Sequence, residues 1–165
     1  MTDDFGQQFR MHMRRYPTGV TIVTAHAGDV HHGMTANSIT TLSLEPPSYL
    51  VCVKKDARLH PVIEQARAFC VNLLAADQDT VSTTFSNTKL SDDERWATVS
   101  FREGEVGARF IDGCTGYAEC KVTLTYDGGT HTIYIGEVLR LEPGEDKPPL
   151  VFYGGGYRQL ASPPG

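Results

Sequence analysis

The sequence predicts a mainly β protein, a closed antiparallel barrel with short flanking helices. Three observations carry this. In "YAECKVTLTY" (117–126), Ala118, Cys120, Val122, Leu124 and Tyr126 alternate with Tyr117, Glu119, Lys121, Thr123 and Thr125. That is a period of two over ten residues, as in a strand with one buried and one polar face. Other β-branched and apolar runs recur along the chain between turn residues, while the helical stretches are short. No Gly-x-Gly-x-x-Gly follows a strand and opens a helix, which argues against a parallel βαβ dinucleotide unit. At 165 residues the chain reads as one domain over 1–165. A chain of that length buries roughly 70% of the surface its unfolded form exposes, enough to fold without disulfides or a structural metal.

The elements follow in order. Residues 5–16 predict a short helix stopped by Pro17. Val20 to Ala25 is β-branched and reads as a strand. Gly28–Asp29 supplies a turn into a second short strand, and "SYLVCV" (48–53) is a buried one. Pro61 sits where a first helical turn tolerates it, so a helix runs from about 60 to 67. "FCVNLL" (69–74) is a strand. "DQDTVSTTF" (77–85) is a helix with Asp77 as its cap, and Ser91 with Glu94 forms a capping box. Asp127–Gly128–Gly129 makes a hairpin turn into "HTIYIGEVLRL" (131–141), whose Gly136 marks a bulge or a close approach. "PLVFY" (149–153) is the last strand before the Gly154–Gly156 turn.

A net charge of −5 argues against nucleic acid or an anionic membrane as the main partner. No apolar run approaches the ~20 residues of a membrane span. "MTDDFGQQF" is acidic with no apolar signal segment, so a cytoplasmic location is expected. The four cysteines, at 52, 70, 114 and 120, form no Cys-x-x-Cys pair and read as small buried hydrophobes in a reducing compartment. His31–His32 has no third ligand at a metal-binding spacing. The pair is expected in a solvated turn, with no metal.

One stretch is out of keeping with a core. In "GMTANSITTLSLEPP" (33–47), Thr35, Asn37, Ser38, Thr40 and Thr41 crowd into seven positions before Leu42, Leu44 and Pro46–Pro47. An edge strand with its polar face in water would read this way. So would a ligand wall of short hydroxyls and backbone amides, suited to a ring with several carbonyls and ring nitrogens. The lack of Lys and Arg within the run disfavours a pure phosphate site.

Five segments together, "YPTGVTIVTA", "GMTANSITTLSLEPPSYLVCV", "FCVNLLAADQ" with "TTF" after it, "GTHTIYIGEV" and "PPLVFYGGGYRQL", carry a resemblance over about Phe5 to Leu160. The chain resembles the short-chain flavin reductases of two-component flavin-dependent monooxygenases, in the flavin reductase-like, FMN-binding split-barrel group. The resemblance implies an antiparallel Greek-key split barrel that binds FMN or FAD. It implies flavin contacts at Thr35, Ala36, Asn37, Ser38 and Thr41, with Val53, Lys54, Lys55, Ala57 and Arg58 around the ribityl chain and phosphate, and Phe85 as a nearby aromatic. His131 and Tyr157 match residues at the nicotinamide.

Two departures stand out. Ala57 and Leu59 replace small hydroxyl residues, which shifts phosphate contacts towards Arg58, Lys54 and backbone amides, and Thr130 replaces an Asp. The implied activity is hydride transfer from NADH or NADPH to flavin, without a side-chain acid or base. The lack of a basic cluster for a 2′-phosphate favours NADH. A homodimer and a separate monooxygenase receiving reduced flavin are the implied partners. The strand alternation sets His131 on a face with Ile133 and Ile135, expected to point inward across the barrel mouth. Two other readings stay open, a non-catalytic flavin- or haem-binding split barrel and a monomeric barrel carrying a small apolar ligand.

Overall fold

The structure, a computed structural model, describes residues 2–160; Met1 and residues 161–165 of the predicted domain lie outside the described residues. Helix α1 (Thr2–Met13) leads into β1 (Thr18–Gly19), β2 (Thr21–Ala27), β3 (Val30–Ala36), β4 (Ile39–Leu44) and β5 (Pro47–Lys54). Then come α2 (Leu59–Ala66), β6 (Ala68–Leu73), α3 (Asp79–Ser86) and α4 (Asp92–Trp96). A hairpin of β7 (Phe101–Glu103) and β8 (Arg109–Ile111) precedes the long pair β9 (Gly116–Gly128) and β10 (His131–Pro143). The short β11 (Val151–Tyr153) and β12 (Gly156–Arg158) complete the chain.

Seven strands form one antiparallel sheet in the order β3-β2-β6-β9-β10-β5-β4. Its two edge strands, β3 and β4, are consecutive in the chain and separated by Asn37–Ser38 alone. A sheet whose opposite edges are tied by two residues must curl round on itself, so it closes into a barrel split along the β3/β4 seam. β1, β11 and β12 form a small second sheet over one end.

Two apolar clusters fill the molecule. One lies inside the barrel, built on Val23, Val51, Val53, Phe69, Val71 and Tyr134, and closed by Leu59, Val62 and Ile63 of α2. The other lies between the outer face of the sheet and α3, α4 and the β7–β8 hairpin, built on Ile22, Leu74, Phe85, Trp96, Phe110 and Leu150. Strands β2 and β6 are sandwiched between them and buried on both faces.

That second layer corrects the expected alternation of β9. Gly116 to Cys120 are all buried, because the β7–β8 region covers the outer face; even Glu119 is buried, accepting from the Val106 N–H at 3.1 Å. Farther along, Leu124 and Tyr126 are exposed. In β10 the inward face is Thr132, Tyr134 and Gly136, so His131, Ile133 and Ile135 stand on the half-exposed outer face rather than pointing into the barrel. Gly136 sits at a register shift, and a Cβ there would meet the Phe69 ring at 2.5 Å. The expected bulge and close approach therefore coincide at one residue.

The capping box at Ser91 and Glu94 is present. Asp77 does not cap α3; it pairs with Lys147 at 3.0 Å, and Gln78 takes the N-cap position without a side-chain cap bond. β9 continues through Gly128, moving the hairpin turn to Gly129–Thr130, where Gly129 adopts a φ of +76°. All four cysteines are free; Cys70, Cys114 and Cys120 are buried and Cys52 half-buried. No helix among the described residues is long and apolar enough to cross a membrane.

Candidate functional site

A cleft runs along the seam, between β3 and the helix α3. One part, of about 290 Å³, is bounded by Val20, Thr35, Asn37, Ser82, Phe152 and Tyr157. A larger part, of about 590 Å³, is bounded by Met34, Lys54, Ala57, Arg58, Phe85 and Arg95. Thr35 and Ser86 belong to both, so the two parts are continuous. The first end is aromatic and hydroxylated; the second is cationic.

The hydroxylated end follows from the split. Where β3 stops at Ala36 and β4 begins at Ile39, the ladder breaks, and short side chains serve its backbone. Thr35 Oγ1 donates to the Ser82 carbonyl at 2.6 Å, and Ser38 Oγ donates to the Cys52 carbonyl at 2.8 Å. Asn37 Nδ2 donates to Thr18 Oγ1 at 3.2 Å. The polar run therefore does two things, stitching the seam and lining the cleft. On the facing side Tyr157 donates to Ser82 Oγ at 2.8 Å and meets Phe152 edge-to-face at 5.7 Å.

At the cationic end, Lys54 Nζ pairs with Asp56 at 2.6 Å, and the Lys54 ammonium holds the Asp56 carboxyl below the usual carboxylate range. Arg58 donates to the Thr88 and Leu90 carbonyls, at 3.3 and 2.7 Å. Phe85 is both core and wall. It is 1% exposed, packs edge-to-face on Trp96 at 5.0 Å, and lies so close to Gly33 that a Cβ there would meet its ring at 2.6 Å.

Thr35, Asn37, Lys54, Ala57, Arg58, Phe85 and Tyr157 thus come together around one cleft. The others do not join them by side chain. Ala36 and Val53 are buried, so only their backbones can reach a ligand. Ser38 is exposed at the seam, Lys55 pairs with Asp127 at 2.9 Å, and Thr41 lines an adjoining hollow of about 330 Å³, with Tyr16 and Tyr49, that meets the cleft at Asn37. His131 pairs with Lys54 in the β5–β10 ladder, and its Nδ1 lies 2.9 Å from Thr130 Oγ1. It shares no hydrogen bond or ring contact with Tyr157.

Sequence reasoning missed Ser82, Ser86, Phe152, His32 and Arg95. The expectation of a solvated turn at His31–His32 is wrong, because both lie within β3. His32 is 3% exposed, with Nδ1 2.6 Å from Asp92 Oδ1. Burial, and secondarily the Arg95 and Arg58 charges, lowers its pKa against the opposing pull of Asp92. His31 is half-buried and stacks on His26 at 4.0 Å. The usable signal was the alternation of His32 with Met34 and Ala36, apolar residues on the same strand face.

A flat aromatic-walled hollow with short polar groups, continuous with a cationic pocket, fits a heteroaromatic ring joined to a phosphate. The donor set at each end suits a flavin. Fold and cleft together define a flavin-binding split barrel. The chain belongs to the flavin reductase like domain family, whose model matches residues 13–161.

Its relatives agree. It is 37% identical over 157 residues to the reductase component of 4-hydroxyphenylacetate 3-monooxygenase from Thermus thermophilus, covering 95% of this chain and 98% of the relative. It is 37% identical over 156 residues to an FMN reductase (NADH) from Agrobacterium fabrum, covering 94% and 86%. The structure of a Streptomyces globisporus NADH:FAD oxidoreductase, in complex with NAD and FAD fragments, superposes with a TM-score of 0.89 at 38% identity, covering 96% and 94%.

Proposed function

We propose that this protein is an NADH-dependent flavin reductase that reduces FMN or FAD and supplies the reduced flavin to a separate flavin-dependent monooxygenase. The observation that carries the reading is the two-ended cleft, hydroxylated and aromatic at one end and cationic at the other. The relatives' names support NADH as the donor and both flavins as acceptors.

Hydride transfer from nicotinamide to flavin is chemistry that the two cofactors supply; the chain binds, orients and shields. Thr35, Asn37 and the backbone of Ala36 bond the ring edge. Phe152 walls the ring, and Tyr157 closes over the nicotinamide side of the same pocket and keeps water away. Lys54 and Arg58 neutralise the phosphate, with Ala57 leaving room beside it. His131 is assigned to the nicotinamide nucleotide: Thr130 engages its Nδ1, which leaves Nε2 to bond a carboxamide or phosphate oxygen. No side chain is assigned as acid or base. Leu59 is buried in the barrel core rather than lining the cleft, which corrects the sequence expectation; without a hydroxyl at Ala57 the flavin exchanges readily, as a substrate must.

A homodimer and a cytoplasmic location belong to the same reading. Phe5, Phe9 and Met11 of α1, Leu42 and Leu44 of β4, and Leu139 and Leu141 of β10 are all about half exposed or more. Apolar surface in that quantity calls for a cover, and a second copy is the cover proposed. Light scattering at micromolar concentration should give twice the chain mass; an active monomer contradicts the dimer.

The function is tested by following NADH oxidation with FMN, FAD or no flavin. The reading requires a flavin-dependent, saturable rate well above the flavin-free one. No acceleration by either flavin defeats it.

A further inference from the structure

At the cationic end of the cleft, three buried or half-buried groups form a chain that no contact to a ligand explains. His32 Nδ1 lies 2.6 Å from Asp92 Oδ1, and its Nε2 lies 3.4 Å from Arg95 Nη1. A carboxylate can only accept from Nδ1, and a guanidinium can only donate to Nε2. The two neighbours therefore fix one form of the ring, neutral with its proton on Nδ1. Arg95 in turn is 2% exposed, an unusual degree of burial for an arginine.

The remaining bonds of Arg95 say what it holds. Nη1 donates to the Gly33 carbonyl at 3.3 Å, and Nη2 donates to the Asn87 carbonyl at 2.7 Å. Arg58 grips the same segment from outside, through the Thr88 and Leu90 carbonyls. The 87–90 connection between α3 and α4 is thus clamped by two guanidinium groups, one inside and one at the surface. Arg95 Nε is buried without a partner, on a side chain that lines the cationic pocket. The bonds that Arg95 does make all run to the frame of the pocket, so it acts through the 87–90 segment rather than by reaching a ligand itself.

We propose that Arg95, oriented by His32 and Asp92, is a positioning residue for the phosphate of the flavin. It sets the 87–90 segment and Arg58 at the distance a phosphate monoester, or the first phosphate of a dinucleotide, requires. This rests on the flavin reading above. The ring end is built from other residues, so the unit acts on the phosphate and not on the isoalloxazine.

Riboflavin, which lacks the phosphate, isolates that effect. Apoprotein is titrated with FMN and with riboflavin, without NADH, and binding is read from flavin fluorescence. Wild type should bind FMN at least tenfold tighter than riboflavin. Arg95→Lys keeps the charge but cannot reach Gly33, His32 and Asn87 together. It should weaken FMN about tenfold and leave riboflavin within twofold. Asp92→Ala, at a partly exposed site, removes the acceptor of the His32 Nδ1 proton and should weaken FMN about threefold with riboflavin unchanged; it carries the test if Arg95→Lys does not fold. Parallel changes for the two ligands, or none, make the unit structural only and overturn the proposal. Failure of wild type to bind either ligand overturns the flavin reading itself, whereas equal wild-type affinities overturn this proposal alone.

Discussion

The two ends of the cleft solve the same problem, holding polar groups next to a ligand, by different means. At the ring end, short side chains from one stretch of sequence, Thr35 to Ser38, bond the Ser82 and Cys52 carbonyls and the Thr18 hydroxyl, so the donors are contiguous although their partners are not. At the phosphate end, His32, Arg58, Asp92 and Arg95 come from β3, the loop before α2, and α4, and meet only because the second core layer packs α3 and α4 onto β3. The first end draws its polar run from one stretch of sequence, whereas the second is assembled from three separate elements. Damage to the frame should therefore reach the phosphate end first.

The largest effect expected from that difference is at Gly33. Gly33→Ala drives a methyl into the Phe85 ring, whose contacts with Trp96 leave it no room. Overpacking of this kind costs about 1–3 kcal/mol, read by chemical denaturation. FMN affinity should fall more than riboflavin affinity; an unchanged denaturation midpoint would show that Phe85 moves freely. Next, Arg58→Ala removes a surface guanidinium without touching the core. FMN should bind about tenfold more weakly, close to 1.4 kcal/mol, with riboflavin unaffected and stability nearly so.

His131 sharpens the boundary between the ends, because the ladder sets it opposite Lys54. His131→Ala should raise the KM for NADH about fivefold, near the ~1 kcal/mol of one hydrogen bond, and leave flavin affinity alone. If FMN affinity falls and NADH kinetics stay normal, His131 belongs with the phosphate. Thr35→Val, by contrast, unpairs the Ser82 carbonyl at the junction. It should cost about 1 kcal/mol of stability and weaken FMN and riboflavin equally.

How much of this was legible in the sequence follows the same division. The polar run 35–41, the bulge at Gly136 and the capping box at Ser91 are local signals, and each was readable. The failures share a different cause. Glu119 alternates like an outward polar residue but is buried by a hairpin that arrives from elsewhere in the chain. His32 looks like half of a turn until α4 brings Asp92 and Arg95 to it. Asp77 has the chemistry of a cap, yet Lys147, seventy residues away, claims it. Periodicity reports one face of a strand; it carries no record of a second layer.

The smallest expected effect is on pH dependence. Burial holds the pKa of His32 below its ordinary 6.5, with Asp92 opposing and Arg95 and Arg58 reinforcing. The unfolded chain therefore takes up the proton first as pH falls. The stability tied to neutral His32 is full above pH 6.5 and is lost as pH drops through its lower folded value. His31 is depressed in the same direction, so the comparison must be made against His32→Gln. Melting temperatures between about pH 7 and pH 5 should fall less steeply in that variant than in wild type. Identical slopes would place the titration at His31.

The division of the cleft is tested most directly by a crystal structure of the protein with FMN. The account predicts the isoalloxazine between Thr35 and the Phe152–Tyr157 pair, and the phosphate within hydrogen-bond reach of Arg58 in the pocket lined by Lys54 and Arg95. A phosphate lying at the Thr35–Tyr157 end, or an FMN seated outside this cleft, would contradict it.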